Sequence, residues 1–183
     1  MSISAEEARR VLAQSELLHD EAAVTTALER MAAAITADLA DTLPLVLCVM
    51  TGGLVPAGRL LPLLKFPLEL DYVHATRYQG ETTGGELVWL ARPRTPLRDR
   101  VVLVIDDILD EGFTLAGILE QCRADGAQAV YSAVLVEKQH DRRHGDLKAD
   151  YVGLTVGDRY VFGAGMDYKG LLRNVSGIYA APE

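Results

Sequence analysis

Apolar residues recur at three- and four-residue steps over 5–18 and again over 21–40, which predicts two amphipathic helices at the start of the chain. The pattern then changes. "LPLVLCVM" (43–50) is a short continuous apolar run that stops at Thr51-Gly52-Gly53, as a strand running into a loop would. Helical spacing returns in "LVPAGRLLPLL" (54–64), with Pro56 in a first turn that does not use its missing N–H. Loose alternation over 68–78, a polar glycine-rich stretch over 79–86 and "LVWLA" (87–91) predict a hairpin-like β-arm with a mobile tip. "VVLVID" (101–106) is the β-branched run of a strand buried on both faces. A helix over 114–126, ending at Gly126, separates it from strands over 129–138 and 149–156. Residues 157–180 read as short strands and turns.

Strands alternating with helices predict an α/β fold built on a mostly parallel, doubly wound sheet. The length suits a single domain over 1–183: N-terminal helices over 1–42, an α/β core over 43–156 and a closing segment over 157–183. Ligands in such sheets bind beyond the carboxyl ends of the strands. Three predicted strand ends carry unusual polar loops: Thr51-Gly52-Gly53, Asp106 through Thr114, and Lys138 through Arg143.

Composition narrows the function more than the fold. Apolar residues make up 49% of the chain and charged residues 24%, an ordinary globular balance. The 18 basic and 26 acidic residues leave a net charge of −8, which argues against nucleic acid as a partner. A small anionic substrate remains open, held by a local basic cluster and a metal ion. "MSISAEEARRV" has acids where a signal peptide has bases, and no apolar stretch approaches the ~20 residues of a membrane span. Cys48 and Cys122 fall in a predicted strand and helix and read as reduced core thiols, so a cytoplasmic protein without a membrane partner is expected.

The densest chemistry lies in "VVLVIDDILDEGFTL" (101–115), where four carboxylates occupy six positions at a strand end. Asp106 and Asp107 offer oxygens to hydroxyls or a divalent cation. Gly112 permits a turn with positive φ, and Thr114 opens a helix whose first free N–H groups suit an anion. A sugar phosphate fits both halves. Capping by Asp and Thr is the simpler explanation, but four acids exceed what a cap uses.

"VLVIDD" resembles the opening of a response-regulator receiver domain, a resemblance that fails on position because too little chain follows the pair. The whole of "VVLVIDDILDEGFT" resembles the phosphoribosyl-pyrophosphate signature of the phosphoribosyltransferases. Four further segments, in order, are similar to their hypoxanthine-guanine branch: "CVMTGG" (48–53) to the pyrophosphate loop, "YQGETTGGE" (78–86) to the flexible lid, "VEKQHDR" (136–142) to the strand end with the purine-reading lysine, and "YVFGAGMDYKGLLRN" (160–174) to the closing segment.

The resemblance implies a type I phosphoribosyltransferase fold with a small hood and a β-arm lid. It implies Mg²⁺-dependent transfer of ribose 5-phosphate from phosphoribosyl pyrophosphate to a 6-oxopurine, with release of pyrophosphate. Asp106 and Asp107 would take the ribose hydroxyls, directly or through Mg²⁺, and Asp167 is the second metal carboxylate. Asp110 is the base near purine N7. The N–H groups of Glu111, Gly112, Phe113 and Thr114, with the Thr114 hydroxyl, would hold the 5′-phosphate, and Glu111, where the family has Thr, should point to solvent. Lys138 would donate to purine O6, Tyr160 would stack on the base and the Val161 carbonyl would accept from its edge. Gly52 and Gly53 would let pyrophosphate approach the backbone, after a cis Met50–Thr51 bond. Thr51 stands where the family often has Lys, so Arg142 is expected to supply part of the missing charge. Arg173 would face pyrophosphate and Tyr78 would serve the lid hinge. A homodimer or homotetramer is implied as well. The alternative is a regulator on the same fold that binds nucleotide without turnover. His140 and His144 lie four apart, but on a loop without a third soft ligand, so no transition-metal site is expected.

Overall fold

The computed structural model describes residues 3–77 and 87–182. Helix α1 (Ala5–Gln14) starts at Ser4, whose side chain accepts the Glu7 N–H, and α2 (Glu21–Leu39) starts at Asp20, which accepts the Ala23 N–H at 2.8 Å. Between them the structure corrects the helical reading of 5–18. The helix stops at Gln14 and strand β1 (Glu16–His19) follows. Ser15 adopts extended backbone, and Leu17 pairs with Tyr179 at the far end of the chain. The apolar pair Leu17-Leu18 fits either period, and a distant strand decides it.

The main sheet contains β2 (Leu45–Val49), β3 (Glu69–Arg77), β4 (Leu87–Ala91), β5 (Val101–Leu109), β6 (Ala129–Lys138) and β7 (Tyr151–Val156), in the order β4-β3-β2-β5-β6-β7. Every neighbouring pair is parallel except β3 with β4, the antiparallel arm anticipated from the sequence. Both faces are covered. Leu103 and Ile105 pack with Leu28, Met31 and Ile35 of α2 on one face. Val102 and Val104 pack with Ile118, Leu119 and Cys122 of helix α4 (Phe113–Ala124) on the other. Helix α3 (Leu54–Leu60) follows β2, and a 3-10 turn over Leu61–Leu63 takes the rest of the expected helix, where Pro62 interrupts the helical ladder.

Cys48 and Cys122 are buried and unpaired with each other, and burial pushes each thiol up to about 11, as expected of unreactive core groups. Among the described residues no helix is long and apolar enough to cross a membrane.

The chain leaves β2 toward β3 on one side and returns to β5 on the other. The carboxyl ends of β2 and β5 therefore flank a topological switch point, where a crevice forms. A second, three-stranded antiparallel sheet joins β1 to β9 (Ile178–Ala180) and β9 to β8 (Val161–Phe162). The small hood is thus closed by the N-terminal strand as well as by the C-terminal segment. Residues 78–86, on which the lid and Tyr78 fall, lie outside the described residues.

Candidate active site

β5 does not end at Asp106 as its apolar pattern suggests. Pairing with β6 continues through Ile108↔Val136 and Leu109↔Glu137, because the ten-residue β6 keeps offering a ladder after the apolar run has stopped. Asp106 and Asp107 therefore sit inside a strand, and alternation sends them to opposite faces. Asp106 shares the α4 face with Val102 and Val104, while Asp107 shares the face of Leu103 and Ile105. Both are more than nine-tenths buried. Asp106 accepts the Asp107 N–H at 2.9 Å, and Asp107 accepts the Ile108 N–H at 2.8 Å. Burial raises the pKa of both. The neighbouring charge of Asp107 adds to the rise at Asp106, and at Asp107 the hydrogen bonds and Arg173 only partly oppose it.

The loop after β2 closes on this pair. The Met50–Thr51 peptide is cis. A Cβ on Gly52 would lie 2.0 Å from Asp107 Oδ2, and one on Gly53 would lie 2.7 Å from the carbonyls of Val49 and Ile105. Only glycine lets the loop come this near. Arg173 approaches from the hood side. Its Nη1 donates to the Gly165 carbonyl at 2.7 Å and lies 3.6 Å from Asp107, and its Nη2 pairs with Asp167 at 2.6 Å.

Asp110, three residues after Asp107, lives in a different environment. Lys138 Nζ donates to its Oδ2 at 2.5 Å, and His140 Nε2 lies 2.7 Å from its Oδ1. Burial alone would raise its pKa, but these two partners outweigh it and hold the carboxyl below its usual range. Lys138 ends β6 and is itself buried.

Gly112, at φ +88°, turns the chain into α4. The start of that helix lines a cavity of about 350 Å³, bounded by Thr76, Asp106, Ile108, Asp110 and the segment Glu111–Leu115. A second cavity, of about 220 Å³, is lined by Asp107, Ile108, Asp110, Lys138, Tyr160, Val161, Met166 and Asp167. The two meet at Ile108 and Asp110. The first is lined by the start of a helix and by carboxylates, the second by Tyr160, Val161 and a lysine.

Most residues singled out from the sequence converge here: Gly52, Gly53, Asp106, Asp107, Asp110, Gly112, Phe113, Thr114, Lys138, Tyr160, Val161, Asp167 and Arg173. Thr51 is exposed at the mouth of the switch-point loop. Glu111 is half exposed and also lines the first cavity. Arg142 is a correction. It forms a bidentate pair with Asp158 at 2.7 and 2.8 Å and lies 3.9 Å from Glu111, so it leans toward the end of β7. The loop at Thr51 lies two strands away in the other direction, and Arg142 does not supply the charge missing there. His140 is the residue that reading the sequence missed. Its side chain is 2% exposed and bound to Asp110. Thr76, Ile108 and Met166 also line the cavities without having been singled out. Ile108 was legible from alternation, since it separates Asp106 from Asp110 on one strand face.

Among the described residues no three His, Cys, Asp or Glu side chains form a metal cage by themselves. Mg²⁺ rarely uses one. It commonly takes one or two carboxylates together with substrate phosphates. Two adjacent buried carboxylates that the protein leaves short of positive charge fit that chemistry. Asp167 is already committed, to Arg173 through Oδ1 and to the Gly170 N–H through Oδ2 at 2.7 Å.

The sequence model of the phosphoribosyl transferase domain matches residues 14–169. The hypoxanthine-guanine phosphoribosyltransferase of Bacillus subtilis is 31% identical over 161 residues, covering 87% of this chain and 89% of that protein. The hypoxanthine-guanine-xanthine phosphoribosyltransferase of Tritrichomonas foetus is 30% identical and covers 87% of each. Among solved structures, a hypoxanthine phosphoribosyltransferase from Staphylococcus aureus superposes with a TM-score of 0.86 at 27% identity, over 91% of both chains.

Proposed function

The chain belongs to the phosphoribosyltransferase family, and from that premise we propose that it makes purine nucleotides by moving ribose 5-phosphate from phosphoribosyl pyrophosphate to N9 of hypoxanthine or guanine. The observation that carries the reading is the junction of the two cavities at Asp110. A phosphoribosyl group in the first and a planar base in the second would meet beside one carboxylate. In the reaction the N9–C1 bond forms, the bond from C1 to pyrophosphate breaks with its electron pair leaving on oxygen, and the purine loses one proton. Asp110 accepts that proton. The products are IMP or GMP and pyrophosphate.

The other residues follow from their chemistry. The N–H groups opening α4 and the Thr114 hydroxyl bind the 5′-phosphate. Asp106 and Asp107 bind the ribose hydroxyls and would hold Mg²⁺, which when bound would supply positive charge that favours departure of pyrophosphate. The amides at Gly52 and Gly53 and the guanidinium of Arg173 face that group. Lys138 has three donors and no acceptor, so after binding Asp110 it keeps N–H groups for a 6-oxo group and none of its atoms suits the amino group of adenine. Tyr160 is half exposed, lines the second cavity and stacks on the base.

The test is nucleotide formation from phosphoribosyl pyrophosphate and Mg²⁺ with hypoxanthine, guanine, xanthine and adenine offered separately. Product from the oxopurines that disappears in Asp110→Asn supports the reading. A folded protein that makes no nucleotide from any of the four bases would overturn it.

A further inference from the structure

His140 lines neither cavity, yet it holds one of the two oxygens of the carboxylate at their junction. Its ring is enclosed, and its two nitrogens have separate partners. Nδ1 accepts the main-chain N–H of Arg142 at 3.0 Å. A nitrogen that accepts carries no proton, so the neutral ring has its hydrogen on Nε2, which donates to Asp110 Oδ1 at 2.7 Å. Lys138, which does line the base cavity, donates to the other oxygen, Oδ2.

We propose that His140 is a positioning residue that divides the work between the two oxygens of Asp110: Oδ1 is anchored from behind by the imidazole, and Oδ2 is left facing the base and Lys138 as the proton acceptor. This rests on the phosphoribosyltransfer reading above. A carboxylate held at one oxygen cannot rotate its lone pairs out of line when Lys138 turns toward the purine, and a proton acceptor is effective only within hydrogen-bond reach of its proton. The anchor is a loop main-chain N–H, so the ring is set by the course of the backbone after β6 and not by another mobile side chain. The charged and titratable groups around Asp110 are Lys138 at the end of β6, the imidazole of His140 just after it, Arg142 farther along the same loop and its own neighbour Glu111. Asp158, after β7, faces Lys138 and His140.

Three enzymes decide it: wild type, His140→Leu and His140→Gln. Glutamine can place an amide N–H near the position of Nε2, and leucine places no donor there. Expected are a fall in kcat of roughly ten- to a hundredfold in His140→Leu, little change in KM for phosphoribosyl pyrophosphate, and an acid limb of the pH–rate profile moved to higher pH because Asp110 has lost a donor. His140→Gln should recover most of the rate and the wild-type limb. Thermal melts identify any variant that has merely unfolded. Nitrogen NMR of the histidine-labelled wild-type protein reads the ring without turnover and should show His140 neutral with its hydrogen on Nε2. A folded His140→Leu enzyme with wild-type kcat and pH profile overturns the proposal, as does a spectrum with the hydrogen on Nδ1. If the wild type makes no nucleotide, the functional reading falls, and the spectrum still decides the hydrogen bond.

Discussion

Asp106-Asp107 and Asp110 lie within five residues on one strand and its exit, yet they are opposite kinds of site. The pair is buried with too few partners, and its carboxyl groups are pushed up. Asp110 is 41% exposed at its side chain, and two donors within 2.7 Å hold it down. The first arrangement is unfinished without a ligand that brings hydroxyls or positive charge. The second is complete before any ligand arrives. Sequence spacing does not separate them. What separates them is which strands flank each carboxylate: Asp107 meets the glycine loop after β2, and Asp110 meets the end of β6.

The largest break in this comparison comes from Asp110→Asn. An amide cannot take the proton, and activity should fall by about 10²–10⁴-fold. Melting temperature should fall as well, because buried Lys138 loses its anion. Asp106→Asn should split the two readouts. A lost charge-assisted contact to donor or metal lowers kcat/KM by roughly 10–150-fold, but the unliganded protein should melt at a higher temperature near pH 7 because a buried carboxyl that ionises more readily in the unfolded chain has gone. Enzyme assays beside thermal melts of both variants check the opposite signs.

Titration gives a smaller and subtler separation. Asp106 and Asp107 have raised pKa values, so they do not weigh against the fold below the unfolded value of about 3.9 and weigh against it increasingly as pH rises from there toward the folded value. Asp110 has a lowered pKa, so its stabilisation is present above the unfolded value and is lost as pH falls through the folded one. Melting temperatures from pH 3 to 8 should rise less at the acid end in Asp110→Asn than in wild type. They should decline less toward pH 8 in Asp106→Asn. Parallel curves for all three proteins would show that the two environments do not differ as described.

Much of this was legible before the structure. The alternation of strands and helices prescribed the parallel sheet, and the acid run, the glycine pair and Lys138 lie at strand ends where the switch point gathers them. What the sequence did not carry was set by partners far along the chain. β1 forms because β9 is there to pair with it, and nothing within 14–19 distinguishes a strand from a fraying helix. β5 continues past its apolar run because β6 is long. His140 looked like a loop histidine without company because its company, Asp110, is thirty residues away. Arg142 carries the right charge on a nearby strand end, and those two features do not choose between the loops beside β2 and β7.

Arg142 also supplies the smallest expected effect and the sharpest control. Its side chain makes an exposed bidentate pair with Asp158, a kind of contact that contributes little in water. Its main-chain N–H, in contrast, holds Nδ1 of His140. Arg142→Ala removes the guanidinium and keeps the N–H. It should leave kcat and KM for phosphoribosyl pyrophosphate as they are in wild type, with at most a slight upward move of the acid limb of the pH profile and a slight change in melting temperature. Steady-state kinetics against both substrates provide the check. A raised KM for phosphoribosyl pyrophosphate would return Arg142 to the pyrophosphate site and require the loop to swing across two strands on binding. A fallen kcat with unchanged KM would mean that the Asp158 pair, not the backbone alone, fixes the course of the loop that sets the imidazole.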